Sequence, residues 1–251
     1  MPDLASLIPA PSPPTQYVRF PTASRPLPGP DTLEHVLACP MAQLIVAGRS
    51  GSVLIHAYLD GHPQVLHIPH TFKFFDFVAV NPDLLVLDAA TVCRRFVESP
   101  LTHFLFDSAK SVIIGGRLGR EVNVFVEVDR QRFCEAFVSL MRGASSTHRS
   151  VFCGLVAAFG WCTGQEPTRA TVLLHHLHHG DWLFPDVLID RSNCPEAASI
   201  NGLGVLRPTR IIQAIRDPYD TFQSTVGFSR DRKSTRLNSS HPSKSRMPSS
   251  A

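Results

Sequence analysis

The sequence of 251 residues contains no apolar run of the roughly 20 residues that a membrane-spanning helix needs. The longest apolar candidate, residues 151–161, is too short for that purpose. The first ten residues include Asp3 and lack the basic-then-apolar order of a secretion signal. These absences predict a cytoplasmic protein with no membrane-spanning segment.

Several motifs of familiar enzyme classes are also missing. The chain has no Gly-x-Ser-x-Gly of serine hydrolases and no Gly-Lys-Ser or Gly-Lys-Thr of phosphate-binding loops. The glycine-rich segment 115–119 precedes a strand-like run, which favours a hairpin turn over a phosphate site. None of the six cysteines forms a Cys-x-x-Cys pair. We therefore expect free thiols in a reducing compartment, with a disulfide framework as the alternative.

The segment 231–251 resembles the in-frame translation of a common short-read sequencing adapter. Residues 231–241 match the start of that adapter, three codons of index length follow, and residues 245–251 match its continuation. We therefore expect 231–251 to be an artefactual, disordered tail. We also expect 218–230 to be a linker or truncated end, with a native reading frame that continues past residue 230. A genuine serine-rich tail is the alternative.

Lysine is scarce outside that tail, since only Lys73 and Lys110 precede residue 231. The whole chain has 24 basic and 21 acidic residues, of which five basic and one acidic residue lie in 231–251. The rest of the chain therefore has 19 basic and 20 acidic residues, for a net charge of −1. This balance predicts no binding to nucleic acid and no attraction to an anionic membrane surface.

Residues 1–40 are proline-rich and predict a disordered or extended arm. From residue 41 to 128, short runs of valine, isoleucine, leucine and phenylalanine alternate with turn signals such as Asp60-Gly61 and Asn81-Pro82. That alternation is typical of an all-β unit. The nine expected strands are 43–48, 52–58, 64–68, 74–80, 84–88, 91–97, 103–107, 111–116 and 121–128.

The expected strands fall into groups of three that begin at Gln43, Phe74 and His103. A repeat of about 30 residues is the pattern of a repeat architecture. The segments Leu44–Val53 and Asp83–Val92 resemble blades of divergent β-propellers, although the Gly-His and Trp-Asp marks of WD repeats are absent. The resemblance implies a partial β-propeller, and a β-sandwich is the alternative for the same unit.

The apolar spacing changes to a helical period after residue 129. Phe133, Phe137 and Leu140 share one helical face, and 150–161 is apolar almost all round, as in a buried helix. Further helices are expected at 168–179, 182–190 and 208–216. Residues 129–217 therefore predict a helical bundle or the start of an α-solenoid, and the expected fold class is α+β.

A cluster of histidines is the sharpest local feature of the sequence. On a helix over 168–179, His175 and His179 would lie four residues apart on one face, with His178 beside them and Asp181 just beyond. Such a set could chelate zinc. No glutamate stands between the paired histidines as a catalytic base, however, and histidines are also favoured at a helix carboxyl end. A solvated helix end is therefore the competing interpretation.

Two functions follow from these observations. The order of β unit and helices resembles propeller-plus-solenoid proteins of trafficking coats, tethers and regulatory complexes. That resemblance implies a non-catalytic scaffold without catalytic residues or cofactor, whose partners are other proteins. The alternative is a zinc-dependent hydrolase built on His175, His178, His179 and Asp181. The sequence leaves the oligomeric state open.

Overall fold

A computed structural model describes residues 15–22, 24–46, 62–68, 72–106, 123–177 and 206–214, together with Ile55, Tyr58 and Leu59. Six strands and five α-helices have defined bounds within these residues. The strands are β1 Thr15–Arg19, β2 Met41–Val46, β3 Val65–His67, β4 Asn123–Glu127, β5 Val172–Leu177 and β6 Arg210–Ala214. The helices are α1 Pro30–Ala38, α2 Phe74–Ala79, α3 Ala89–Glu98, α4 Arg130–Leu140 and α5 His148–Cys162.

Four of the strands form an all-parallel sheet in the order β3-β5-β2-β6. The central strands β2 and β5 carry buried side chains on both faces because each face is covered by other parts of the chain, as is usual in parallel sheets. Strands β1 and β4 pair in parallel with each other in a separate two-stranded sheet.

The helices pack on one face of the four-stranded sheet and enclose most of the core. Helix α5 is buried from Ser150 to Cys162. A group of phenylalanine rings surrounds it, contributed by the segment before α2 and by helices α2, α3 and α4. The core is therefore dominated by aromatic contacts between helices and between the helical layer and the sheet.

The expected all-β unit over 41–128 is wrong. Residues 74–79 and 89–98 are α-helices, and residues 84–86 and 103–105 are single 3₁₀ turns. The buried positions of α3 recur at helical spacing, at Val92, Cys93, Phe96 and Val97. Asp88, which resembles a turn residue in the sequence, caps this helix by accepting a hydrogen bond from the backbone N–H of Thr91. A partial β-propeller is therefore excluded for this segment.

The expected helical region is correct only in part. Helices α4 and α5 occur where the helical period begins, and Gly143 follows α4 with a φ of 76°, which favours glycine. Within the predicted helices 168–179 and 208–216, however, residues 172–177 and 210–214 are strands of the parallel sheet. The described helices surround a single core instead of stacking in pairs, so an α-solenoid is unsupported. The predicted segment 182–190 lies outside the described residues.

The amino-terminal arm also differs from its prediction, because 1–40 includes β1 and α1. Pro30 lies in the first turn of α1, where a proline costs the helix no hydrogen bond. The segments 218–230 and 231–251 lie outside the described residues, as does 111–116. No helix in the described part of the chain is both long and apolar enough to cross a membrane.

Candidate functional site

The connections between strands single out one place on the sheet. Strands β2 and β5 are neighbours, but the chain leaves β2 for β3, on the far side of β5, and leaves β5 for β6, on the far side of β2. The two connections therefore depart in opposite directions from adjacent carboxyl ends. In open parallel sheets, such a switch point creates a crevice, and ligands bind there.

The segment that leaves β2 has a glycine- and serine-rich sequence. Strand β2 ends at Val46, and the backbone is helical again at Ile55, Tyr58 and Leu59. The residues between, 47–54, read Ala-Gly-Arg-Ser-Gly-Ser-Val-Leu and lie outside the described residues. The sequence prediction placed a strand at 52–58, which the helical residues contradict. The sequence prediction therefore missed the succession of strand, glycine-rich segment and helical residues, although the glycines can be read directly from the sequence.

Two polar side chains lie side by side on the helix-covered face of the sheet. Gln43 on β2 is paired in register with His175 on β5, and both are essentially inaccessible to solvent. Neither polar atom of the Gln43 side chain has a hydrogen-bond partner within the described part of the chain. Buried polar groups without partners destabilise a fold, and they commonly mark places that serve a function.

The imidazole of His175 is held among aromatic rings. Its centroid lies 5.0 Å from the ring of Phe152, 5.5 Å from Phe75 and 5.9 Å from Phe72. Its Nε2 lies 3.0 Å from the carbonyl oxygen of Phe72. Because a carbonyl oxygen only accepts, Nε2 carries the hydrogen, and Nδ1 retains a free lone pair. Burial lowers the pKa of His175 to about 4, and the hydrogen bond to Phe72 opposes this shift.

The opposite face of the sheet carries two more buried histidines. His67 on β3 and His176 on β5 lie on the same side as Ala42, Leu44 and Leu174, which form a second small apolar cluster. Burial lowers the pKa of His67 to about 4 as well. Strands β3 and β5 therefore place the neutral imidazoles of His67 and His175 inside the protein at neutral pH, on opposite faces of the sheet.

The structure changes the geometry of the predicted histidine cluster. His175 lies on a strand and points into the core, so the expected helical pairing with His179 has no basis at this position. In a strand, successive side chains point to opposite faces, and His175 and His176 are separated in this way. His178, His179 and Asp181 lie outside the described residues. Within the described residues, no three His, Cys, Asp or Glu side chains are arranged so that they could hold a metal ion.

A surface groove of about 390 Å³ lies between α1 and the turn that joins α4 to α5. Three of its polar side chains are already engaged within the protein. Thr147 and Ser150 cap the start of α5 reciprocally, and Arg149 donates to the carbonyl oxygens of Leu37, Cys39 and Leu206. Arg149 therefore joins α5 to α1 and to the segment before β6, and the groove is a weaker candidate site than the carboxyl edge of β2 and β5.

No known protein family, no curated protein and no solved structure matches this chain.

Proposed function

We propose that the protein binds a small phosphorylated molecule at the carboxyl edge of its parallel sheet, between β2 and β5. The observation that carries the proposal is the strand order β3-β5-β2-β6, with its connections departing in opposite directions from these two neighbours. A crevice of this origin is the usual ligand site of open parallel sheets.

The choice of a phosphorylated ligand is supported by the amino-acid sequence that follows β2. Gly48 and Gly51 allow close backbone approach, Ser50 and Ser52 supply hydroxyl donors, and Arg49 supplies a positive charge. The backbone is helical at Ile55, which follows these residues in the sequence, and helix amino termini in general favour phosphate groups. Binding by backbone amides and arginine would explain how a chain without a Gly-Lys-Ser motif recognises phosphate.

The second side of the crevice follows β5. His178 and His179 follow Leu177, the last residue of β5, in the sequence, as the glycine-rich segment follows the last residue of β2. In this proposal they contribute hydrogen-bond donors to the ligand and do not form a helical zinc site. The zinc-dependent hydrolase stays an alternative prediction, without the helical geometry on which it was based.

The scaffold function also stays a prediction, but its main argument is lost. It depended on the resemblance to propeller-plus-solenoid proteins, and the described residues form neither architecture. A reducing, cytoplasmic location remains a prediction, supported by the unpaired thiols of the five cysteines in the described residues.

Thermal unfolding and calorimetry with a panel of small molecules test the proposal. The panel contains inorganic pyrophosphate, a sugar phosphate and a nucleoside triphosphate. Their respective controls are inorganic phosphate, the parent sugar and the parent nucleoside. At least one phosphorylated compound should raise the unfolding midpoint, because a ligand that binds only the folded state stabilises it. Its unphosphorylated counterpart should have no effect.

Two matched variants locate the site. Arg49→Ala should weaken binding of the compound found by about tenfold or more, since it removes a charge-assisted hydrogen bond. Arg169→Ala is the control, because Arg169 is exposed and precedes β5 at the opposite edge of the sheet. Equal loss in both variants, or no response to any phosphorylated compound at millimolar concentration, would reject the proposal.

A further inference from the structure

Three buried polar atoms lie on the helix-covered face of the sheet. They are Oε1 and Nε2 of Gln43 and Nδ1 of His175, and none of them has a hydrogen-bond partner in the part of the chain that the structure describes. Gln43 is 0% exposed and His175 is 1% exposed. The two residues are register partners on β2 and β5, so their side chains leave neighbouring strands, about 4.8 Å apart, toward the same face.

The hydrogen-bonding character of these atoms follows from their surroundings. Nε2 of His175 lies 3.0 Å from the carbonyl oxygen of Phe72, so this nitrogen carries the hydrogen and donates it. At neutral pH the imidazole is uncharged, because burial lowers the pKa of His175 to about 4. Nδ1 is therefore an acceptor that needs a donor. The amide of Gln43 offers one acceptor and one donor group.

The residues that contact the imidazole supply no donor for Nδ1. Aromatic rings without an N–H or O–H group surround it, with centroid distances of 5.0 to 5.9 Å, from Phe152, Phe75 and Phe72. The next side chains on the same face of β5 are those of Leu173 and Leu177. The amide of Gln43 does not hydrogen-bond Nδ1 directly, because neither of its polar atoms has a partner among the described residues.

The pair lies one strand away from solvent. On its other side, Gln43 is in register with Ile211 of the edge strand β6, and Ile211 is 45% exposed. A small molecule can therefore reach the amide past the side chain of Ile211. Buried polar groups that lack a protein partner are usually hydrogen-bonded to an internal water, which requires at least two polar partners. Gln43 and His175 together meet that requirement.

We propose that one internal water molecule binds between Gln43 and His175 and links β2 to β5. The water donates one hydrogen to Nδ1 of His175, and its second polar contact is the amide of Gln43, which can accept or donate. A bridging water is nearly as favourable in enthalpy as a direct hydrogen bond but loses freedom of motion, so its net effect on stability is small. The bridge does not depend on the ligand proposed for the carboxyl edge, and each can be rejected without the other.

Nuclear magnetic resonance of the full chain, labelled with ¹⁵N at neutral pH, tests the bridge. The Nδ1 signal of His175 should have the frequency of a nitrogen that accepts a hydrogen bond. The carbon-bound Hε1 proton beside Nδ1 should show a cross-relaxation peak with water, with the sign of a long-lived internal molecule. His175→Phe identifies both signals by their loss. A free Nδ1 without a water peak, or a scalar coupling between Nδ1 and Nε2 of Gln43 through a direct hydrogen bond, would overturn the proposal.

Matched substitutions test the contribution of the amide. Gln43→Met retains most of the side-chain volume, and it should abolish the water peak and move the Nδ1 signal toward that of a free nitrogen. Gln213→Met is the control, because Gln213 is an exposed residue of the neighbouring strand β6. It should leave both signals as in the wild type. A water peak that persists in Gln43→Met, or equal changes in the two variants, would show that Gln43 does not hold the water.

A crystal structure of the wild-type chain decides the question if Gln43→Met does not fold. A single density peak at about 2.7 to 3.2 Å from both Nδ1 of His175 and the amide of Gln43 is expected. The absence of such a peak, or a peak within this distance of only one of the two residues, rejects the bridge.

Discussion

The helical layer and the parallel sheet differ in how their polar groups are hydrogen-bonded. In the helical layer, side chains of Asp88, Asp129 and Thr147 cap the starts of α3, α4 and α5. At the end of α5, Arg25 donates to the carbonyl oxygen of Trp161 and lies over its ring, while Arg132 lies over the same ring. In the sheet, by contrast, Gln43 keeps a buried amide without a partner among the described residues.

This difference separates stability from function. Helix caps and contacts between buried aromatic rings both contribute to the free energy of folding. A sheet that retains a buried, unpartnered amide and a neutral imidazole gives up some of that free energy. Buried polar groups that cost stability are expected at functional sites. Their position on β2 and β5 agrees with the proposed ligand site at the carboxyl ends of these two strands.

The largest effect is expected at the junction of the two regions, where Phe152 of α5 contacts both. Its ring lies 5.1 Å from Phe74 and 5.0 Å from His175, and it is fully buried. Phe152→Ala should lower the free energy of unfolding by about 3 to 5 kcal/mol, measured by urea denaturation. Val86→Ala is the control, since Val86 is 85% exposed and should change stability little. Equal effects in both would show that α5 does not hold the core together.

The buried imidazole makes the sheet sensitive to acid. The pKa of His175 is about 4 in the folded protein and 6.5 in the unfolded chain, so the unfolded chain binds more protons between these values. Stability should therefore be complete above pH 6.5 and fall as the pH decreases toward 4, by about 3 kcal/mol from this residue.

The variant His175→Phe checks that assignment, because phenylalanine does not titrate. Its free energy of unfolding should depend less on pH between 6.5 and 4 than that of the wild type, with a remaining slope from His67, whose pKa is also about 4. An unchanged slope, measured by urea titrations across this range, would mean that His175 is accessible to protons in the folded state.

A smaller effect is expected when the connection between the two regions is cut. Arg149 at the start of α5 donates to the carbonyl oxygens of Leu37 and Cys39 at 3.1 and 3.3 Å, and also to that of Leu206. Arg149→Met retains most of the side-chain volume but leaves these carbonyl oxygens without this donor. The loss should be about 2 kcal/mol in urea denaturation. Arg142→Met, on the exposed turn before α5, is the control and should be nearly neutral.

The smallest effect is expected in the sheet itself. Gln43→Met replaces the unpartnered amide by an apolar side chain of similar volume, so the free energy of unfolding should stay within about 1 kcal/mol of the wild type or rise. Thermal and urea unfolding measure this change, and Leu44→Ala on the same strand is a destabilising reference. A loss of several kcal/mol in Gln43→Met would show that the amide is fully engaged and would remove the contrast between sheet and helical layer.

The local sequence determined the features that depend on neighbouring residues. The helical period after residue 129, with apolar positions Phe133, Phe137 and Leu140, led to α4, and the apolar run 150–161 led to α5. The expected strands 43–48, 64–68 and 121–128 overlap β2, β3 and β4. Spacing, caps and turn residues act within a few positions, so one sequence is sufficient to recognise them.

Tertiary structure decided what local pattern left ambiguous. Short apolar runs fit either a buried helix or a strand, and burial by the rest of the chain made 89–98 a helix and 172–177 a strand. The pairing of β2 with β5 joins residues more than 100 positions apart, and it places His175 beside Gln43 and against Phe72. The proposed crevice depends on that pairing. That pairing is a long-range contact, which no local periodicity encodes.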